Sequence, residues 1–174
     1  MSGREYGLLG DELAAQLAAF APSYDGYCRY WPSRVTLVDG AERDFVVVAQ
    51  ADEYFTPWGK WPEDDPGKRS VVIEEVAAIR ESSRRLPARL AEKLYARGES
   101  GMGYYVFTVI LRDGRALPFV TGGVVDFPAL PKDVEGTEVV DVLPGVGRDQ
   151  FRGGGPYPDE STEDYSWCLF RRRS

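Results

Sequence analysis

Apolar residues recur along this chain in two rhythms, one helical and one alternating, and the rhythm assigns most of the elements. Leu13, Leu17 and Phe20 fall at helical spacing within Leu9 to Phe20, with Asp11 placed as an N-cap and Pro22 just beyond the end. A second helix is predicted from Pro87, suited to a first turn, to about Arg97. Leu90, Ala91, Leu94 and Tyr95 form its apolar stripe, and Gly98 is its stop.

Two pairs of β-rich runs predict hairpins. Arg34 to Val38 and Phe45 to Ala49 flank Asp39-Gly40, through a loop longer than two residues. Tyr104 to Leu111 and Leu117 to Val125 flank Asp113-Gly114. The first run of this second pair is apolar on both alternating faces, as a strand covered on both sides requires. In the second run, Pro118 removes a ladder donor and so places the strand at an edge or a bulge. Trp167 to Phe170 reads as a short closing strand.

The remaining segments are less regular. Residues 54–67 hold Pro57, Pro62, Pro66, Trp58, Trp61 and three consecutive acids, a composition that predicts an irregular loop. In Val71 to Arg80, the run Val71, Val72, Ile73 favours a strand, while Val72, Val76 and Ile79 have helical spacing; we read it as a strand running into a turn. Residues 128–164 are rich in Gly, Pro and acids, with room for one helical turn at Val139, Val140, Val142 and Leu143. Together these predict a single α+β domain over residues 1–174. Its mainly antiparallel sheet is built from two hairpins plus a C-terminal strand, with two helices packed on one face.

Composition narrows the function classes. With 43% hydrophobic and 28% charged residues, the chain has the balance of a globular protein. A net charge of −7 opposes nucleic-acid binding, which relies on basic faces that release counterions. No apolar run approaches the roughly 18 residues that span a bilayer. Glu5, Asp11 and Glu12 stand where a secretory signal needs a basic segment and then uninterrupted apolar residues, so a cytoplasmic protein is expected.

The chain has no histidine, which removes the usual general base of Ser and Cys hydrolases and the commonest metal ligand. Cys28 and Cys168 are too few for a four-thiolate site, so neither a metal nor a cofactor is expected, and whether the two pair is left open. Asp52, Glu53, Asp126 and Asp141 lie near predicted strand ends, where carboxylates pair for acid–base work, bind a hard cation with other oxygens, or are simply solvated.

Two surfaces stand out. The first is the aromatic and acidic segment Tyr54, Phe55, Trp58, Trp61, Glu63, Asp64 and Asp65. Large loop aromatics are typical anchors for a protein partner, and they equally fold back into a satellite core. The second is the turn Gly98 to Gly103, whose exposed backbone N–H groups suit an anion. Beside it runs a basic helical stripe, Arg89, Lys93 and Arg97, within a segment that also holds Arg80, Arg84 and Arg85. Ser100, Gly101, Gly103 and Tyr104 complete the candidate ligand site.

The glycines also have a purely structural use, capping the helix and turning the chain into the strand. The composition therefore leads to a non-catalytic macromolecule-interaction protein, such as an inhibitor, immunity-type or accessory module. Its alternative is a binding protein or enzyme for a small anionic ligand.

Overall fold

The computed structural model describes residues 4–151 and 165–174. In chain order the elements are α1 (Asp11–Ala18), β1 (Ser23–Tyr24), β2 (Arg29–Leu37), β3 (Glu42–Gln50), α2 (Ala51–Trp58), β4 (Arg69–Ser70), β5 (Val76–Glu81), α3 (Ala88–Arg97), β6 (Tyr105–Leu111), β7 (Ala116–Thr121), β8 (Val139–Pro144) and β9 (Ser166–Phe170). They fall into two compact units. Unit 1 comprises the described residues of Met1–Pro22, Tyr27–Ser82 and Asp164–Ser174, and unit 2 those of Ser23–Gly26 and Ser83–Glu163.

In unit 1 the strand order is β5-β2-β3-β9-β4. The hairpin β2–β3 is antiparallel, and Gly40 takes the left-handed conformation its turn demands, at φ 88°. The C-terminal strand β9 runs parallel to β3 on one side and to β4 on the other. The sheet is therefore mixed, which corrects the expectation of a mainly antiparallel one. Val46, Val47, Val48 and Ala49 of β3 are wholly buried, the signature of a strand covered on both faces.

Helix α1 lays Leu17 on this sheet, with Leu13 and Phe20 packed alongside in the same core cluster. The Gln16 amide oxygen accepts the Ile79 N–H at 2.6 Å. Gly10 is the N-cap and Asp11 the first helical residue, so Asp11 acts as a first-turn acid rather than as the cap expected of it.

The irregular loop expected at 54–67 is corrected to a helix and a 3-10 turn at Pro62–Asp64, with β4 following. Pro57 lies in the last turn of α2, where it forfeits one backbone bond, and the Gly59 N–H closes the helix on the Phe55 carbonyl at 2.8 Å. At 71–80 the order is reversed from the expected one: a 3-10 turn at Ile73–Glu75 leads into β5.

In unit 2 a three-stranded sheet has the order β7-β6-β8, all antiparallel, with β6 central and the Pro118-bearing β7 at an edge. Val139–Pro144 is strand β8, in place of the helical turn expected there; a 3-10 turn at Gly136–Glu138 precedes it. Residues 152–164 of the Gly/Pro-rich stretch lie outside the described residues. Helix α3 buries Leu90, Ala91, Leu94 and Tyr95, the stripe predicted for it, and Gly98 ends it at φ 87°. The chain thus has three α-helices among the described residues rather than two, α1 and α2 in unit 1 and α3 in unit 2.

Candidate functional site

The aromatic and acidic segment in unit 1 is largely consumed by its own packing. Tyr54 is fully buried and stacks on Trp58 at 5.7 Å and 8°, and on Trp61 at 6.4 Å and 13°. Trp167 of β9 meets Tyr54 edge-on at 4.7 Å. Phe55 lies against Trp61 at 4.4 Å yet remains 40% exposed. The acids are paired as well: Glu63 and Asp64 with Arg4, at 2.9 and 3.3 Å, and Asp65 with Lys68 at 3.1 Å. Glu63 also accepts the Tyr6 hydroxyl at 2.8 Å, and burial together with that neighbouring carboxylate pushes the Tyr6 pKa up.

The basic segment 80–97 does not form one patch. Arg80 reaches Glu42 at 2.6 Å in unit 1. Arg84 donates to the Leu130, Pro131, Lys132 and Val134 carbonyls at 2.6, 2.9, 3.2 and 2.5 Å. Arg85 is buried, donating to Ser23 Oγ at 3.0 Å and to the Leu86 carbonyl at 3.2 Å. Arg89, Lys93 and Arg97 remain exposed on α3, and Lys93 pairs with Asp141 at 2.9 Å.

Arg85 belongs to a closed polar network. Ser23 Oγ donates to Asp126 Oδ1, and the Tyr95 hydroxyl donates to Asp126 Oδ2 at 2.6 Å while accepting the Val125 N–H at 3.1 Å. Full burial pushes the Asp126 carboxyl above its ordinary pKa, opposed by Arg85, Ser23 and Tyr95. Every member is satisfied inside unit 2, so we assign the network to structure. The other strand-end carboxylates do not converge on it: Glu53 takes Arg29 at 2.5 Å in unit 1, and Asp141 takes Lys93.

The glycine turn does border a cavity. Its volume is about 210 Å³, and it lies in unit 2 between the end of α3, the start of β6 and the Gly145–Arg148 turn. Leu94, Val106 and Pro144 give it apolar walls, while Arg97, Glu99, Ser100 and Arg148 supply polar groups. Arg97 is exposed and engages no carboxylate among the described residues. Arg148 donates to the Ser100 carbonyl at 2.6 Å, which joins the two turns, and its guanidinium engages no carboxylate among the described residues.

The Ser100 hydroxyl accepts the Val106 N–H at 2.8 Å, and Glu99 Oε2 accepts the Gly103 N–H at 3.0 Å. Tyr105 also lines the cavity, and burial, with Glu99 and Asp25 adding to it, raises its phenol to about 12.

Of the residues singled out in the sequence, Arg97 and Ser100 line this cavity, whereas Gly101, Gly103, Tyr104, Lys93 and Arg89 do not. Gly101 is instead a packing position, because a side chain there would collide with the Tyr104 ring. Arg148, Tyr105 and Glu99 were not anticipated. Arg148 arrives from a turn far along the chain, and no local spacing connects it to Ser100.

Comparison with family models, with curated proteins and with solved structures finds no match. Among the described residues no group of three or more His, Cys, Asp or Glu is placed to hold a metal ion. Neither Cys28 nor Cys168 forms a disulfide among the described residues and both are buried, and burial raises the Cys168 thiol to about 12. No helix of the described residues is long and apolar enough to cross a membrane.

Proposed function

We propose that this chain binds a small anionic ligand in the unit 2 cavity between the glycine turn and Arg148. One observation carries the reading: two guanidinium groups, Arg97 and Arg148, line one cavity that also has an apolar wall. Glu99 stands in the same lining and opposes an anion, but two cations outweigh one carboxylate.

The volume of about 210 Å³ is below the roughly 300–1,000 Å³ usual for drug-sized ligands, which limits the guest to a group such as a phosphate or a short carboxylic acid. Thermal-shift measurement with phosphate, nucleotides and small carboxylates is the test. A ligand present at about 100 times its Kd stabilises by about 2.7 kcal/mol, and Arg97→Ala with Arg148→Ala removes that gain. A panel that gives no shift overturns the reading.

A protein partner is the second reading, and it rests on Phe55, which stays 40% exposed although its neighbours are packed. Under it, a stoichiometric partner recovered with the native chain is lost with Phe55→Ala. The Trp residues and acids of the same segment give it little support, because they are engaged within unit 1.

A further inference from the structure

Lys68 occupies an aromatic box. Its ammonium nitrogen lies 3.5 Å from the Trp58 ring centroid, 5.7 Å from that of Tyr54 and 5.9 Å from that of Trp167. It also donates to the Tyr54 hydroxyl at 3.3 Å and pairs with Asp65 at 3.1 Å, and its side chain is only 8% exposed. Trp58 offers its π face and Trp167 a second, more distant ring, while Tyr54 contributes its hydroxyl and Asp65 a carboxylate. Aromatic rings with a carboxylate around one ammonium is the arrangement by which proteins recognise alkylated ammonium groups, with Trp the strongest contributor.

The walls of this box do not depend on Lys68. Tyr30, Tyr54 and Trp167 are fully buried parts of the unit 1 core. Trp58 is held by its stack on Tyr54, by the Trp167 edge at 5.6 Å and by donation from its indole nitrogen to the Tyr30 hydroxyl at 3.3 Å. The occupant is carried by a short connecting segment, its N–H on the Asp65 carbonyl at 3.2 Å. Lys68 follows Pro66 and Gly67, the latter at φ 88°, and precedes β4, a two-residue strand paired to β9 at only Arg69 and Ser70. If Lys68 leaves, Asp65 stays beside a preformed cage as its counter-charge.

We propose that Lys68 is a tethered occupant of an aromatic cation site in unit 1, and that a quaternary or methylated alkylammonium on an external ligand exchanges with it. A tethered competitor acts at an effective concentration in the millimolar range, so the external cation binds weakly until the tether is removed. The site lies in a different unit from the cavity above and takes the opposite charge, so neither proposal depends on the other.

The test is choline chloride against 3,3-dimethylbutan-1-ol, its neutral isostere, at ionic strength matched with sodium chloride. In the unmodified chain, NMR follows the Lys68 ε-methylene protons, which the Trp58 ring current is expected to shift upfield given the 3.5 Å approach of the ammonium. Choline is expected to return them toward their ordinary position along a saturable curve, and the alcohol to leave them in place. Lys68→Ala is expected to bind choline at least tenfold more tightly, read from the Trp167 indole N–H, with the gain lost on adding Trp58→Leu.

A Lys68 signal that choline leaves unmoved, or that the alcohol moves as far, overturns the proposal. So does a folded Lys68→Ala chain with no gain in affinity. If that variant does not fold, the unmodified chain decides alone.

Discussion

Arg84 and Arg85 are adjacent in sequence and do different work. Arg84 gathers four carbonyls of residues 130–134, adding to the Val134 N–H bond to the Pro131 carbonyl that this Pro-interrupted segment makes for itself. Truncation to Ala is expected to cost about 1.5–3 kcal/mol in urea unfolding, with Lys recovering less than half because it lacks the planar fork.

Arg85 and Asp126 are buried together, so Asp126→Ala leaves a buried cation uncompensated and is expected to cost about 3–5 kcal/mol by the same measurement. At the surface, Thr36, Arg80 and Arg34 hold the Glu42 carboxyl down to about 2. Its folded pKa lies below its unfolded value of about 4.3, so the stability it adds is present above about 4.3 and is lost as pH falls through 2. An NMR titration reads this shift directly, and Glu42→Gln flattens the acid limb of the stability curve.

At the scale of elements, amphipathic stripes are reliable and proline is a weak veto. Helix α3 buries the four residues its spacing nominates, and Leu94→Ala is expected to cost about 2–5 kcal/mol by denaturant unfolding. Helix α2 was hidden in the sequence because Pro57 and two nearby prolines signal irregular chain. It forms because Pro57 sits in the last turn and because Tyr54 has a core of rings to enter.

The two hairpins were legible in their turn dipeptides and alternation, and so was the edge placement of β7 from Pro118. Strand β8 was not. Its apolar group is too short to separate a strand from a helical turn, and only pairing with β6 decides between them.

For the whole molecule, the position of β9 matters most. It lies between β3 and β4 in unit 1, although it comes last in the chain. Truncation before residue 164 removes Trp167 and Phe170 from the core and uncovers one whole side of β3. Such a chain is expected to lose cooperative unfolding of the unit 1 tryptophans, followed by fluorescence, and to self-associate through the bared strand. Both thiols are buried, so neither should react with a thiol reagent at pH 8 until denaturant is added. Fast labelling of the native chain would count against the described core.

The amino-acid sequence by itself determined the α+β composition, the helix stripes, the two hairpins and the absence of imidazole chemistry, since periodicity, turn dipeptides and residue counts are local or global sums. The candidate site was only half visible: Arg97 and Ser100 are neighbours in sequence, while Arg148 reaches Ser100 through the fold. Tertiary structure alone decided the parallel strand, the partners of each acid and arginine, and the enclosure of Lys68 by rings drawn from α2 and β9. The reason is physical. A local pattern records which side of an element is apolar, but which side chain meets it depends on how distant segments share one core.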